Sequence, residues 1–350
     1  MKILIISRYF YPEGSGKELA TYLHAKALAI EGFQITVSSF THYNSYVIEN
    51  LVNRIRVYRF PVVKIGHGKY FEMHSILFKK YYEKLIHESD VVYVIDRYEL
   101  LPLIKKLRKP VIVHHHDYFP YCPLSTMYNM THHSICSMMS SSECLRDIVL
   151  NKRPLKGTLQ VSIAKTYVKL ISHYADIILF PSHEHRRLIC KRIPELIPKS
   201  KVIYNQIPDI SYLPIDGEDI GYFGGLSPIK GFHYLLRAWM KIFIKFPNQK
   251  LHMAMSEKLS VYIKSKMNIV TYARLGGSAY EDVYRKVKAV IVPSVSPDTA
   301  PYVPIEACLR GRIVIASMIG GIPEYIGGLP GTKFVVPGNV QDLTDKLEYA

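Results

Sequence analysis

Short apolar runs rich in β-branched residues alternate with stretches of helical periodicity along most of the chain. In the first half, six buried strands are predicted at residues 2–7, 34–39, 91–96, 111–116, 177–180 and 201–205. Residues 17–30 carry apolar side chains at helical spacing, and Gly32 stands where a helix cap is expected. Because strands that alternate with helices form βαβ units, the sequence predicts an α/β fold with parallel sheets.

A second series of six strands is predicted at residues 219–224, 250–255, 268–273, 289–294, 313–317 and 333–337. Residues 205–219 separate the two series; they are rich in proline and acidic residues and have no clear periodicity. The sequence therefore predicts two doubly wound, Rossmann-like domains, residues 1–207 and 208–350, that face each other across a cleft. The last helical pattern is short where the sequence stops at Ala350, which leaves open whether the chain is truncated there.

Basic residues outnumber acidic residues by 45 to 29, which gives a formal net charge of +16. They are densest between residues 146 and 201, where twelve Lys and Arg stand against four Asp and Glu. Such a charge favours anionic partners, either phosphorylated ligands or an anionic membrane surface. A nucleic-acid partner is disfavoured because the sequence has no zinc-finger spacing, RNP aromatics or basic zipper.

The sequence has no uninterrupted apolar run of about 20 residues, the length needed to span a bilayer, and no apparent signal peptide. A cytoplasmic location is expected, with a peripheral place at the membrane as the alternative. Five cysteines, an odd number, argue against a disulfide framework. A structural metal is the weaker interpretation of one loose cluster, since zinc sites have tighter spacing. That cluster comprises Cys122, Cys136, Cys144, His132 and His133.

Two glycine-containing turns follow predicted strands and are candidates for anion binding. In "YFYPEGSGKELA", Gly14 and Gly16 allow a tight turn before a helix whose N-terminus carries a positive dipole. In "YFGGLSPIKGFHYLLRAW", Lys230 stands at a helix start, where its charge opposes the dipole unless an anionic ligand shares the site. A plain turn and a solvated lysine are the respective alternatives. The first segment has the spacing of neither a dinucleotide fingerprint nor a P-loop.

Two carboxylates, Asp298 and Glu306, flank a proline-containing loop in "PSVSPDTAPYVPIEACLRG". Pro304 is predicted to begin a helix that Gly311 ends, which would place Glu306 in the first helical turn. A carboxylate there is favoured by about 0.3–1 kcal/mol through the helix dipole. The residues alone leave a catalytic pair, a metal site, a ligand clamp and two surface charges open.

Taken together, these segments resemble the glycosyltransferases of family 4, which have the two-domain GT-B fold. The resemblance covers essentially the whole chain and also includes "HHDYFPYCP" and "SMIGGIPEYI". The family's E-x7-E pattern falls on Asp298 and Glu306. The resemblance implies a retaining hexosyltransferase that moves a sugar from a nucleotide-diphosphate sugar to a saccharide, lipid-linked or other acceptor, with neither metal nor cofactor.

The resemblance also implies a role for each matching residue. Glu306 would accept hydrogen bonds from the ribose, and Asp298 would orient the donor sugar. Lys230 would neutralise the departing diphosphate, which the Gly16 turn would also approach. His116 matches a histidine near the transferred sugar. Donor contacts are further implied for the loop between the acids, at Thr299, Ala300, Pro301, Tyr302 and Val303.

Three departures from the family pattern bear on activity. Asp298 is shorter than the usual glutamate, and Pro301 replaces a frequent glycine. Gly225 stands where an arginine commonly assists the lysine, unless Arg237 or Arg274 substitutes. A weak or inactive enzyme is therefore an alternative. Two others are a nucleotide-sugar epimerase of the same fold and a non-catalytic protein that binds sugar nucleotides or polyanions. A membrane contact through residues 159–175 is weighed against an ordinary core-packing helix, which is favoured.

Overall fold

A computed structural model describes residues 1–42, 46–51, 54–62, 64–65, 69–70, 78–136, 144, 146, 154–254, 267–273 and 275–350. The chain divides into two compact units. Unit 1 consists of Met1–Ser125 and Ser137–Gln206, and unit 2 of Thr126–Cys136 and Ile207–Ala350. The short segment Thr126–Cys136 thus belongs structurally to the second unit although it lies within the first half of the sequence.

The strands of the described residues are short, as expected for βαβ units. In chain order they are β1 (Lys2–Ile6), β2 (Gln34–Thr41), β3 (Val47–Leu51), β4 (Ile55–Pro61), β5 (Lys64–Ile65), β6 (Lys69–Tyr70), β7 (Val91–Val94), β8 (Val111–His114), β9 (Tyr128–Asn129), β10 (Ser134–Ile135), β11 (Ile177–Phe180), β12 (Ser200–Val202), β13 (Asp219–Tyr222), β14 (Leu251–Ala254), β15 (Ile269–Tyr272), β16 (Val287–Val292), β17 (Ile313–Ser317) and β18 (Thr332–Val335).

Helices connect most of these strands. The α-helices are α1 (Gly16–Ile30), α2 (Lys79–His87), α3 (Leu101–Lys106), α4 (Pro154–Tyr174), α5 (His183–Cys190), α6 (Phe232–Lys245), α7 (Ser278–Lys286), α8 (Tyr302–Leu309), α9 (Ile322–Ile326) and α10 (Val340–Glu348). Short 3₁₀ helices occur at Tyr98–Leu100, Pro194–Lys199 and Pro228–Lys230.

Unit 1 is built on an eight-stranded sheet with the order β12-β11-β8-β7-β1-β2-β4-β3, in which only the β3–β4 pair is antiparallel among the described strands. Alternate side chains of β1, β2 and β4 pack against Ala25 and Ala29 of α1. Small residues on the helix allow it to lie close to the sheet. Gly32, with φ of 92°, adopts the left-handed conformation just after the helix, as predicted.

Unit 2 is built on a six-stranded sheet, all parallel, with the order β15-β14-β13-β16-β17-β18. Its core surrounds Trp239 of α6, which packs with Leu235, Met253 and Leu343. The antiparallel pair β9–β10 is attached to this unit, where the Ser296 hydroxyl donates a hydrogen bond to the backbone carbonyl of Thr126. Burial of these large apolar side chains is the main source of stability for the unit.

Each sheet reverses its strand order at one place. In unit 1 the chain proceeds from β1 to β2, β3 and β4, then returns to place β7 on the other side of β1. In unit 2 it proceeds from β13 to β14 and β15, then places β16 on the other side of β13. Loops that leave the carboxyl ends of strands at such a switch point open a crevice, which is where α/β sheets bind ligands.

The predicted α/β class with parallel sheets is confirmed, as are all twelve predicted strands, two with the predicted bounds and the others with ends shifted by up to three residues. Strands β3 and β4 were not predicted. Their sequences, "VIENL" and "IRVYRFP", mix charged and apolar residues. β3 is the edge strand, whereas β4 lies between β2 and β3 and carries two arginines, the exposed Arg56 and the buried Arg59, which pairs with Glu49 of β3. An edge strand is half solvated, so its sequence carries a weaker apolar signal than a central parallel strand does.

Helix α4 contains most of the segment weighed as a membrane contact. It buries Val161, Ala164 and Ile171 and exposes Lys165 and Lys169, the pattern of a helix that packs on a core with a solvated basic face. None of the described helices has both the length and the apolar character needed to cross a membrane.

Candidate functional site

The turn that carries Lys230 packs tightly against the loop after β16. Gly231 has φ of 74°, and a Cβ atom there would lie 1.8 Å from the backbone oxygen of Pro293, so only glycine fits. The backbone N–H of Val295 donates to the carbonyl of Ile229 over 2.9 Å. These contacts fix the loops that follow β13 and β16, the two strands at the switch point of unit 2.

Asp298 lies where these two loops meet. Its Oδ1 forms an ion pair with Lys230 Nζ, and its Oδ2 accepts a hydrogen bond from the Ser294 hydroxyl over 2.7 Å. The Lys230 side chain is 34% exposed and the Asp298 side chain 16%. The two charges are therefore paired with each other at a partly solvated position that a ligand can reach.

A third loop supports Asp298 from behind. Gly321 N–H donates to the Asp298 carbonyl over 2.6 Å. Gly320 has φ of 61°, and a Cβ atom there would lie 2.3 Å from that same carbonyl oxygen. Gly320 of "GGIPE", which follows β17, is thus required for this close backbone approach. The loops that follow three neighbouring strands of the sheet, β13, β16 and β17, therefore together position the Asp298 carboxylate.

Helix α8 begins earlier than predicted. Pro301 is its N-cap and Tyr302 its first residue, so Pro304 is the third residue. Proline is tolerated there because the first N–H groups of a helix have no partner within the helix. Glu306 consequently lies in the second turn, and the prediction that it occupies the first turn is wrong. Its side chain is therefore held by specific contacts more than by the dipole. Gly311, with φ of 78°, ends the helix as predicted.

The Glu306 carboxylate is 15% exposed and is contacted from two sides. The Tyr280 hydroxyl of α7 donates to its Oε2 over 3.1 Å, and Arg310 Nη1 lies 3.7 Å from the same oxygen. Burial raises the pKa of Glu306 above its ordinary value, and Arg310 and Tyr280 offset this only in part. The ionisation of the Glu306 carboxylate therefore depends on its contacts with Arg310 and Tyr280.

Among the predicted site residues, the structure brings Lys230 and Asp298 into direct contact and places Glu306 on the helix that follows the same loop. A Cβ atom on Gly225 would have no neighbour within 4 Å, so the missing arginine leaves open space. Arg237 is exposed on α6, and Arg274 lies outside the described residues. The other loop residues named above have partly or fully buried side chains: Thr299, Ala300, Pro301, Tyr302 and Val303.

The Gly16 turn in unit 1 differs from the expectation of an open anion site. Glu18 in the first turn of α1 accepts a hydrogen bond from the Ser15 backbone N–H over 2.7 Å, as in a capping box. A carboxylate therefore already lies at this helix N-terminus. That the Gly16 turn contacts the diphosphate of the sugar donor stays a prediction, and the Glu18 carboxylate would lie close to that contact.

Lys17 cannot offset that charge freely, because two carboxylates hold it. Its Nζ lies 2.9 Å from Asp96 Oδ2 and 3.6 Å from Asp117 Oδ2. Burial lowers the pKa of Lys17, but the attraction of Asp96 and Asp117 is larger and leaves that pKa above its ordinary value. The three residues follow β1, β7 and β8, so they lie at the switch point of unit 1.

His116 belongs to a buried group of imidazoles beside this point. Its ring centroid is 4.1 Å from that of His114 and 6.0 Å from that of His24. Burial holds the pKa values of His114 and His116 well below their ordinary value and lowers that of His115 to about 3. These rings are therefore neutral near pH 7. The site role predicted for His116 is compatible with a neutral ring and stays a prediction.

Sequence reasoning missed several residues at both switch points. Asp96 is the last residue of one predicted strand and Asp117 directly follows another, so that they lie two and three residues beyond the observed strand ends, which is the signal that would have found them. Tyr280 and Arg310 had no such signal, because their contact with Glu306 depends on how α7 and α8 pack. In the described part of the chain, no group of three or more His, Cys, Asp or Glu side chains is placed to hold a metal ion.

Comparison with known proteins adds family and fold similarity. Residues 217–350 match the family described as glycosyl transferases group 1. This segment contains Lys230, Asp298 and Glu306, and it makes up less than half of the chain. No curated protein sequence matches the chain significantly.

Several solved structures align with almost the whole chain. Sucrose-phosphate synthase from Thermosynechococcus elongatus has 16% identity and a TM-score of 0.69, over 99% of this chain and 89% of that chain. HepE from Anabaena, in complex with UDP and glucose, has 19% identity and a TM-score of 0.66, over 100% and 89%. The catalytic domain of starch synthase IV from Arabidopsis thaliana, bound to ADP and acarbose, has 13% identity and a TM-score of 0.63, over 99% and 91%. At these identities the alignments show the fold, which is GT-B.

Proposed function

We propose that the chain is a retaining glycosyltransferase that moves a sugar from a nucleotide-diphosphate sugar to a hydroxyl acceptor. The observation that carries the proposal is the arrangement of Lys230, Asp298 and Glu306 at the switch point of unit 2. A cation beside two carboxylates matches a donor that has a diphosphate between two hydroxyl-rich parts. The similarity of residues 217–350 to glycosyl transferases group 1, and the UDP, glucose and ADP named in the neighbours' complexes, support the same conclusion.

Each of the three side chains has a distinct task in this proposal. Lys230 is the group that meets the diphosphate, because its positive charge lies at the switch point and its side chain is partly exposed. Asp298, held by Ser294, accepts hydrogen bonds from hydroxyls of the donor sugar. Glu306, one loop further along, accepts hydrogen bonds from the ribose. The ion pair with Asp298 keeps Lys230 compensated before the donor arrives, since unpaired buried charges are costly.

In the proposed reaction, the acceptor oxygen forms a bond to the anomeric carbon while the bond from that carbon to the phosphate oxygen breaks. The nucleoside diphosphate leaves with the electron pair, and the acceptor proton passes to the departing phosphate oxygen. Lys230 stabilises the negative charge that develops on this oxygen, an effect that is largest where water is excluded. Asp298 and Glu306 orient the donor, and neither forms a bond to the sugar.

A panel of labelled UDP-, ADP- and GDP-sugars, offered with saccharide and lipid-linked acceptors, tests the proposal. We expect one donor to release its nucleoside diphosphate as its sugar appears on an acceptor with the anomeric configuration unchanged. Asp298→Ala and Glu306→Ala should each reduce kcat/KM for that donor by about 10–100-fold, because each removes a hydrogen bond from a charged acceptor. Transfer with inversion would contradict the retaining mechanism.

The matched control for the two acidic variants is Glu218→Gln, since Glu218 is a carboxylate of the same unit with an 80% exposed side chain. It should leave kcat/KM within twofold of the unsubstituted chain. An isomerised sugar without transfer would show an epimerase, and tight donor binding without any product would show a non-catalytic binding protein. Unchanged turnover in both Asp298→Ala and Glu306→Ala would remove these residues from the site.

A further inference from the structure

The two oxygens of the Glu306 carboxylate have different surroundings. Oε2 accepts the hydrogen bond from the Tyr280 hydroxyl and is the oxygen nearest to Arg310. Within the part of the chain that the structure describes, Oε1 has no hydrogen-bond partner. One oxygen is therefore used to hold the side chain, and the other is left to accept a hydrogen bond from a ligand.

Tyr280 is itself held in place by aromatic packing. Its ring centroid lies 5.0 Å from that of Tyr284 and 5.4 Å from that of Phe223, both in edge-to-face geometry. Tyr284 is fully buried and stacks on Phe223 at 4.7 Å. Edge-to-face aromatic pairs are favourable beyond the area they bury, so the Tyr280 ring has little freedom to turn. Its hydroxyl is a fixed donor.

Arg310 is the second group near Oε2, and it is committed elsewhere. Its guanidinium makes two hydrogen bonds to the carboxylate of Glu281, at 2.7 and 3.2 Å, and lies 4.4 Å from the centroid of the Tyr284 ring. The side chain is 4% exposed. At 3.7 Å its charge attracts Glu306 without a short hydrogen bond. The directional contact to Glu306 is therefore supplied by Tyr280.

We infer that Tyr280 is a positioning residue, which fixes the Glu306 carboxylate so that Oε1 faces the ribose of the donor. The inference rests on the proposed function, because it assigns a ligand hydroxyl to Oε1. Without the hydroxyl of Tyr280, the Glu306 side chain can rotate, and that rotational freedom is lost again when a nucleotide binds. Tyr280 thus acts on donor affinity through Glu306 and does not touch the reacting atoms.

A double-mutant cycle on nucleotide binding tests whether Tyr280 acts through Glu306. The dissociation constants of UDP, ADP and GDP are measured by calorimetry for the full chain, Tyr280→Phe, Glu306→Ala and the double variant. Tyr280→Phe should weaken the best nucleotide about tenfold, with the ring packing retained. In the Glu306→Ala background the same change should have less than a twofold effect, because the group that Tyr280 positions is gone.

Tyr349→Phe is the matched control, since it removes the same hydroxyl from an 80% exposed tyrosine of the same unit. It should leave every dissociation constant within twofold. A tenfold loss from Tyr280→Phe in both backgrounds, or no loss in either, overturns the inference while the proposed function stands. If none of the three nucleotides binds the unsubstituted chain, the proposed function fails and takes the inference with it.

The pH dependence of nucleotide binding gives a readout that a purely structural role would not move. The groups around Glu306 are Tyr280, Tyr284, Tyr302 and Arg310, with Glu281 behind Arg310. Tyr280 lowers the pKa of Glu306, so Tyr280→Phe should raise it, and affinity should begin to fall at a higher pH as the solution is acidified. An unchanged acid limb in a folded Tyr280→Phe variant would contradict the inference.

Discussion

The switch points of the two sheets both carry a lysine paired with an aspartate, but the two pairs are built differently. In unit 1, Lys17 is shared between Asp96 and Asp117, and its side chain is 22% exposed. In unit 2, Lys230 is paired with Asp298 alone among the residues that the structure describes, and its side chain is 34% exposed. One lysine carries two negative neighbours and the other carries one.

This difference decides what each lysine can do. The unit 1 group has a net charge of −1, and Glu18 adds another carboxylate at the nearby helix N-terminus. An arriving phosphate would meet repulsion there. The unit 2 pair is neutral, and its lysine is more exposed, so a diphosphate can share it. Under the proposed function, equivalent positions in two sheets of similar topology therefore serve as a structural clamp in one and as a ligand contact in the other.

The two switch points also differ in the number of buried histidines near them, so acid should destabilise unit 1 more than unit 2. Unit 1 buries His114, His115, His116 and His185, whose pKa values burial holds below the ordinary value. Below about pH 6.5 the unfolded chain binds protons that these folded rings do not, so the free energy of unfolding falls as pH falls. At pH 5.5 the loss should be about 1.4 kcal/mol for each histidine, or about 6 kcal/mol for four.

Spectroscopy can separate the two units in this experiment. The single tryptophan, Trp239, is fully buried in unit 2, whereas circular dichroism reports on both units. At pH 5.5, part of the dichroism signal should be lost at a urea concentration well below the one at which Trp239 fluorescence changes. Between pH 7.5 and 8.5 neither signal should move. Unit 2 buries His252, whose pKa burial lowers and Asp219 partly restores, so the loss in unit 2 should be smaller. Equal shifts of both signals on acidification would contradict the assignment to unit 1.

Removing the lysine of unit 2 should affect turnover much more than stability. We expect Lys230→Ala to lower kcat/KM for the active donor by about 10²–10³-fold, because it removes the cation that faces the developing charge. Lys230→Arg, which keeps the charge, should recover part of this loss. Steady-state kinetics with the donor identified in the panel measure the effect, and a change below threefold in Lys230→Ala would show that this lysine is not the diphosphate contact.

Removing the lysine of unit 1 should instead lower stability and leave nucleotide binding unchanged. Lys17→Ala leaves Asp96 and Asp117 close together without their cation, which should cost about 2–3 kcal/mol of unfolding free energy, less than for a fully buried pair because of solvent screening. The dissociation constant of the best nucleotide should stay within twofold. Urea unfolding and calorimetry measure the two quantities. A stable variant with weakened nucleotide binding would mean that Lys17 contacts the donor.

The candidate site was predicted unevenly. Asp298 and Glu306 were found because they flank one loop and match a recognisable pattern, and Lys230 because its charge opposes a helix dipole. The register of α8 was wrong by two residues, since proline is accepted at the third helical position as well as the first. Tyr280 was missed because it lies 26 residues before Glu306 and on another helix. Strands β3 and β4 were missed because β3 is a half-solvated edge strand and because β4, its neighbour, carries Arg56 and Arg59 among its apolar residues.

The sequence by itself determined the α/β class, the two series of strands, the glycines that allow close turns and the acids around the α8 loop. These follow from local periodicity and from the conformations that glycine and proline permit. Only the tertiary structure decided which lysine is clamped and which is available. Lys17 meets Asp96 across 79 positions, and Lys230 meets Asp298 across 68. Such contacts depend on the order of strands within a sheet, which local patterns in the sequence do not encode.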